Sequence, residues 1–168
     1  DRDPQLALFA YKKAAGKCDD ELINLTNKNA MYRAQAQYLV ESLNPELWKK
    51  VLSEDTEHKK AVTEQVIQVI LPQTRNPDEV SVTVKAFIEA GLQSELMDLL
   101  EKLVLHNNEF SKNKSLQNLL ILTAISSDTS KVKSFLNRLD EYDGNEIAVK
   151  CVESGLFEEA YFIYEQKL

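Results

Sequence analysis

One segment of this chain occurs twice, 64 positions apart: Glu89-Ala90-Gly91-Leu92-Gln93-Ser94-Glu95 returns as Glu153-Ser154-Gly155-Leu156-Phe157-Glu158-Glu159. Each copy closes one apolar-periodic run and opens another, so the repeated unit is a helical hairpin. The register holds on both sides of the glycine. Val84, Phe87 and Ile88 align with Ala148, Cys151 and Val152, and Leu99, Leu100 and Glu101 align with Ile163, Tyr164 and Glu165. Size class is kept while identity drifts, as expected of repeats that bury a face against their neighbours. Stacked repeats make scaffolds and binding surfaces far more often than active sites.

Composition leaves little room for another fold class. Four glycines and four prolines in 168 residues supply too little turn chemistry for a sandwich or barrel, and the abundance of Leu, Glu, Lys and Ala favours helix. The net charge of −7 argues against nucleic acid or an anionic membrane as a main partner, since both need a basic footprint. Cys18 and Cys151 lie far apart, each beside helical pattern. They read as two ordinary half-buried thiols in a reducing compartment rather than a disulfide framework. No apolar run approaches the ~20 residues that span a bilayer, and no signal-peptide pattern opens the chain. The sequence begins at Asp1 and stops inside the helical pattern Leu156 to Leu168. It therefore reads as an excised piece of a longer chain, one continuous stretch of repeats over 1–168 in which 77–106 answers to 144–168.

Three pairs punctuate the chain: Asp3-Pro4, Asn44-Pro45 and Asn76-Pro77. Each reads as an N-cap followed by proline at the first helical position, where its missing N–H costs nothing. Glu46, Asp78 and Glu79 then place negative charge at the positive end of the helix dipole. Asp143 with Glu146 makes a further start of the capping-box type. Between these marks the pattern predicts helices near 4–14, 19–28, 30–42, 45–53, 58–71, 77–90, 92–106, 112–125, 130–140, 144–154 and 156–167. Leu96, Leu99, Leu100 and Leu103 share a face with Glu95, Asp98, Glu101 and Lys102 outside it, whereas Leu116, Leu119, Leu120, Ile121, Leu122 and Ile125 describe an inner helix covered on several sides. Val80-Ser81-Val82-Thr83-Val84 alternates like a strand, but the Asn76-Pro77 start and the spacing of Val80, Val84, Phe87 and Ile88 favour helix. The fold class expected is all-α, an α-solenoid of short antiparallel helix hairpins repeating at about thirty residues per pair. The Trp…Leu-Gly…Tyr pattern of tetratricopeptide repeats is missing.

The constellations that carry chemistry fail on spacing. His58 and His106 have no ligand partner at i+3 or i+4, so each reads as a surface or packing residue. Asp140-Glu141-Tyr142-Asp143-Gly144 looks like a calcium-loop fragment, but setting Gly144 sixth puts Leu139 where the first carboxylate must be. Cys18-Asp19-Asp20-Glu21 reads as acidic residues at a helix N-terminus, and Asp98, Glu101, Glu158 and Glu159 as charges on solvated faces. No phosphate-binding or nucleophile-elbow motif occurs. Trp48, Tyr161, Phe162 and Tyr164 are expected to pack in the core or between repeats rather than to anchor a partner. No catalytic, cofactor-binding or metal-binding residue is assigned.

Several runs resemble the clathrin heavy-chain family. The most specific are Asn76-Pro77-Asp78-Glu79-Val80-Ser81-Val82-Thr83-Val84-Lys85-Ala86-Phe87, Leu116-Gln117-Asn118-Leu119-Leu120-Ile121-Leu122-Thr123-Ala124-Ile125 and Asn137-Arg138-Leu139-Asp140. Glu21-Leu22-Ile23-Asn24, Asn44-Pro45-Glu46-Leu47-Trp48 and Leu156-Phe157-Glu158-Glu159-Ala160 support them. The likeness covers the whole chain and is to the distal-leg and ankle part, whose helical repeats clathrin shares with vacuolar sorting proteins. It implies a non-enzymatic role: a leg segment packing beside other heavy-chain legs of a trimeric parent, in a polyhedral coat used in endocytosis and vesicle trafficking. It implies a cytoplasmic location on coated pits and vesicles. Uncoating factors are further partners it implies. Light chain and adaptors would bind elsewhere in the parent, so no protein-binding residue is carried over. The isolated segment is expected to be monomeric. The related reading is a solenoid segment of an endosomal or vacuolar tethering complex. The chain departs from the family chiefly on helix surfaces, as at Lys112, Lys114, Lys131 and Lys133.

Overall fold

A computed structural model describes residues 3–14, 16–53, 57–106 and 109–167, so Asp1 and Leu168 lie outside the described residues. The described residues are helical with short turns and no strand. They fall into two compact units, Asp1–Leu92 and Gln93–Leu168.

In the first unit, α1 (Pro4–Lys13), α2 (Asp19–Lys28), α3 (Tyr32–Ser42), α4 (Pro45–Leu52), α5 (Glu57–Gln65), α6 (Leu71–Gln73) and α7 (Pro77–Glu89) follow one another. The Asx-Pro starts behave as their chemistry dictates. The Asp3 carboxylate accepts from the N–H of Gln5 and Leu6, Asn44 Oδ1 from Glu46 and Leu47, and Asn76 Oδ1 from Asp78. These bonds satisfy donors that the first helical turn leaves unpaired. α3 packs on α2, α5 and α7, and α7 also on α4. The core between them holds Leu22, Leu39, Trp48, Val66, Leu71 and Phe87, all without exposed surface.

Trp48 is a core residue, its ring meeting Phe87 edge-on at 6.0 Å between centroids. The alternating run Val80–Val84 lies within α7, with Val80, Thr83, Val84 and Phe87 buried. Ile88 is half-exposed, against the expected stripe. Eight residues on from Val80, a helix has turned about 80° past two full turns, which carries the side chain off the buried face.

Where the sequence ends a helix at Leu71, the structure carries it through Pro72 to Gln73. It does so by widening: Val66–Ile70 is a π-helical turn, and the Leu71 N–H reaches back five residues to the Val66 carbonyl. That wider turn relieves the clash a proline ring makes with the carbonyl four residues before it.

In the second unit, α8 (Gln93–Glu101) runs into a second π-helical turn, Lys102–His106. α9 (Lys114–Ser127), the 3₁₀ turn Thr129–Lys131, α10 (Val132–Arg138), α11 (Gly144–Glu153) and α12 (Phe157–Lys167) follow. α9 is the inner helix its composition describes, packed against α8, α10 and α11. Leu120, Ile121 and Ala124 on it are fully buried with Leu99, Leu103, Ile147 and Ile163. The capping box at Asp143 is only half made. Its carboxylate accepts from Asn145 and Glu146 N–H, but its own N–H donates to Asn118 Oδ1 at 2.7 Å rather than to Glu146. Gly144 is not a turn residue; it opens α11 where Lys167 and Ile163 of α12 come so close that a Cβ would sit 3.2 Å from Lys167 Cβ.

Candidate interaction surface

The repeated glycine segment makes the same turn twice. Gly91 and Gly155 have φ of +73° and +77°, which glycine adopts without cost. Gly91 N–H donates to Ile88 O and Leu92 N–H to Phe87 O; Gly155 and Leu156 repeat this onto Val152 and Cys151. This pair of bonds is the Schellman motif. A third copy closes α2, where Ala30 N–H donates to Asn27 O and Met31 N–H to Thr26 O, with Ala30 at φ +53°. Sequence comparison missed it because alanine stands where the other two copies have glycine.

Polar pairs recur at sequence separations of 28 to 30, each joining segments that have another helix between them along the chain. Asp20 pairs with Lys50, Glu101 with Lys131 at 3.2 Å, Lys112 with Asp140 at 3.0 Å, and Asn118 with Glu146 at 3.5 Å. Glu101 is thus a paired and half-buried group rather than a solvated one, and its hydrogen bond raises the Lys131 ammonium pKa. The Lys112 ammonium holds the Asp140 carboxyl below its ordinary range. Exposed pairs of this kind each contribute little. Lys114 and Lys133 are exposed.

Two buried glutamines do more than the surface pairs. Gln35 Nε2 donates to Thr26 Oγ1 at 2.6 Å and Asn27 Oδ1 at 2.8 Å, fixing the end of α2 that leads into the Ala30 turn. Gln117 Nε2 donates to Ser111 O at 2.7 Å while its Oε1 accepts from Glu141 N–H at 2.8 Å, so one side chain ties two loops to α9. Lys167 adds bonds to the Asp140 and Tyr142 carbonyls and lies over the buried Tyr142 ring at 4.2 Å.

The residues weighed for chemistry are scattered into structural roles. His58 Nδ1 shares a 2.7 Å hydrogen bond with the Tyr32 hydroxyl, joining α5 to α3. His106 is exposed at the end of its π turn. Within the Cys18–Glu21 cluster, Asp19 accepts from the Tyr38 hydroxyl. Burial and that bond push the Tyr38 phenol up to about 12. Cys18 is half-buried, and Cys151 is fully buried, its thiol pushed up to about 11 by burial and by the nearby Glu159. In the calcium-loop fragment, Asp140 pairs with Lys112 and Asp143 caps α11, so its carboxylates serve separate partners. Among the described residues no three His, Cys, Asp or Glu side chains gather as a metal site.

What remains is surface. Tyr161 and Tyr164 are 64% and 48% exposed, against the expectation that they pack inside, while Phe162 is half-buried. With Phe157, 66% exposed, they form an aromatic stripe at i, i+4 and i+7 along α12. In the aligned first copy the corresponding residues are Gln93, Met97 and Leu100, and Met97 and Leu100 are buried on the helix that α9 covers. Helical periodicity shows which side chains share a face and not whether another element lies on it. Tyr161 and Tyr164 therefore have the spacing of core residues while lying exposed. A second exposed stripe, Leu6, Phe9 and Ala10, runs along α1, with Lys13 over the Phe9 ring at 5.0 Å.

Short helices closed by repeated turns, with cores between neighbours and no assembled reactive cluster among the described residues, define an all-α repeat protein of the α-solenoid class. The family model that matches the chain is the clathrin one, described as a region in clathrin and VPS, and it covers residues 1–62 and 71–167. Its break falls across the π-helical turn Val66–Ile70. The chain belongs to this clathrin repeat family. It is 52% identical over 165 residues to a clathrin heavy chain of Dictyostelium discoideum, 48% to clathrin heavy chain 1 of Arabidopsis thaliana and 48% to clathrin heavy chain 2 of Homo sapiens. Each alignment covers 98% of this chain, which spans about one tenth (10%) of the length of these relatives.

Proposed function

We propose that the chain is a structural, non-enzymatic leg segment of a clathrin-type vesicle coat, one continuous stretch of α-solenoid repeats over 1–168 in which 77–106 answers to 144–168. The observation that carries the reading is about half identity along nearly the whole chain to heavy chains from an amoeba, a plant and an animal. The relatives named are clathrin heavy chains, which favours the coat over a tethering complex. The partners are other heavy-chain legs in a polyhedral lattice, met through broad and individually weak contacts whose avidity holds the coat while leaving it able to disassemble. Uncoating factors act on the same lattice, and light chain and adaptors engage other parts of the parent. The site of action is the cytoplasmic face of coated pits and coated vesicles, in endocytosis and intracellular transport.

The test is to raise an antibody to the segment, isolate the native parent protein, and image it by electron microscopy beside a coated-vesicle fraction. Three-legged particles and labelled polygonal coats are expected. A parent confined to a compact multisubunit membrane complex, absent from coats, would overturn the reading.

A further inference from the structure

We propose that the first unit binds one hydrogen phosphate ion in a cavity between α2, α3, α4 and α5. The cavity measures about 110 Å³, and its polar lining is Asn24, Asn27, Gln35, Lys50, His58 and Lys59. Asn24 and Lys50 are exposed, Asn27, His58 and Lys59 half-buried and Gln35 buried, so the cavity runs inward from a wet mouth to a dry end. The chain carries 27 acidic and 20 basic residues, yet no carboxylate among the described residues lines this cavity. A pocket walled by one sign of charge concentrates ions of the other sign. Its volume suits a single tetrahedral oxyanion and lies well below the ~300–1,000 Å³ of pockets that enclose drug-sized ligands.

The hydrogen bonds already made decide what each wall group has left to offer. Asn27 Oδ1 accepts from Gln35 Nε2 at 2.8 Å, which leaves the Asn27 Nδ2 hydrogens for a ligand. His58 Nδ1 is taken by the Tyr32 hydroxyl at 2.7 Å. With that hydroxyl donating, the imidazole proton sits on Nε2, and the nitrogen left to the ring is an N–H donor. The Lys50 and Lys59 ammonium groups add charge-assisted donors. Lys50 also pairs with Asp20, but both side chains are more than half exposed, and a pair of that kind is weak enough for an oxyanion to compete with it. One wall atom asks for the opposite partner. Gln35 uses both Nε2 hydrogens on Thr26 Oγ1 and Asn27 Oδ1, and its Oε1 accepts no bond from the described residues. A buried acceptor is costly to leave unmet. Hydrogen phosphate carries one O–H beside three bare oxygens, so it satisfies the donors and the single acceptor together. Sulfate and a phosphomonoester dianion have no O–H to give. Bound there, the ion bridges four helices and stabilises the first unit as its concentration rises.

The test follows the side-chain amide signals of Asn24 and Asn27 by NMR while inorganic phosphate is added to about 50 mM at about pH 7.5, with ionic strength held constant by sodium chloride so that screening does not change. The signals are expected to shift and saturate. Sulfate and O-phosphoserine, whose phosphoryl group is a dianion at this pH, should bind at least about tenfold more weakly, since each leaves the Gln35 acceptor unmet. Asn24→Asp and Lys50→Gln, both at exposed positions, should keep the helical circular dichroism of the parent and weaken phosphate binding about tenfold or more, the first by setting a carboxylate in the wall. Lys60→Gln removes the same charge from an exposed position of α5 outside the cavity and should change binding by less than about twofold. Signals that never saturate overturn the inference. So do equal losses from Lys60→Gln and Lys50→Gln, which would mean diffuse attraction to a basic surface. Equal binding of sulfate overturns the assignment to hydrogen phosphate, and tighter binding of O-phosphoserine overturns it in favour of the phosphoryl end of an ester.

Discussion

Ala30 occupies the left-handed region that Gly91 and Gly155 occupy in the same turn, and for a residue with a Cβ that conformation costs about 1 kcal/mol. Ala30→Gly is therefore expected to stabilise the first unit by roughly 0.5–1 kcal/mol, whereas Gly91→Ala and Gly155→Ala destabilise by about 1 kcal/mol each. A Cβ at either glycine meets nothing within 4 Å, so the whole effect is backbone strain. Urea midpoints of the three variants at constant slope read these signs directly. Trp48 offers a second contrast. It is fully buried and its indole N–H meets no acceptor among the described residues. Trp48→Ala should cost about 3–5 kcal/mol, while Trp48→Phe keeps most of the ring packing and should cost under about 1.5 kcal/mol. Equal losses for the two would mean that the nitrogen, not the ring, carries the stability.

The titrations belong to this scale too. The Tyr38 phenol and Cys151 thiol both have raised values in the folded state, so folding favours their protonated forms. Stability from them is complete at neutral pH. It falls as pH rises from about 9 through 11 for the thiol and from about 10 through 12 for the phenol. Tyr38→Phe should flatten the second part of the alkaline decline in chemical-denaturation curves. A thiol reagent at pH 8 should modify Cys18 quickly and Cys151 only on unfolding. Simultaneous modification of both would show that Cys151 is not sealed in the core.

At the scale of the element, what could be read from sequence was local chemistry. Asp3, Asn44, Asn76 and Asp143 cap helices because their side-chain oxygens lie within reach of free N–H groups two or three residues on, a relation the sequence alone displays. The all-α class and the inner position of α9 followed from composition and periodicity. Both π turns escaped. Nothing in Val66–Ile70 or Lys102–His106 signals a wider helix, and proline at position 72 ordinarily marks an end. The loop Leu139–Asp143 also escaped, because it is held from afar. Gln117 and Asn118 accept its N–H groups, and Lys167 donates to its carbonyls. Gln117→Leu removes the acceptor of the Glu141 N–H and the Nε2 donor to the Ser111 carbonyl. It should destabilise the chain by about 1–3 kcal/mol, and amide exchange should quicken first in the loop. Exchange unchanged at Glu141 would show that the loop is held by other means.

For the whole molecule, the family was legible because long runs such as 76–87 resemble it across surface and core positions alike, which helix propensity does not require. The candidate interaction surface was not legible. Exposed Phe157, Tyr161 and Tyr164 have the spacing of core residues, and only the absence of a covering helix among the described residues distinguishes them. Repeat proteins draw their stability from neighbour interfaces, so substitutions in the shared cores should act through folding.

The most direct measurement of the coat role is replacement. The aligned segment of a Dictyostelium clathrin heavy chain is exchanged for this chain and expressed in cells lacking their own heavy chain. The account predicts that the chimera enters polygonal coats and restores coated-vesicle formation. A chimera that is folded and abundant yet absent from the coated-vesicle fraction would contradict it.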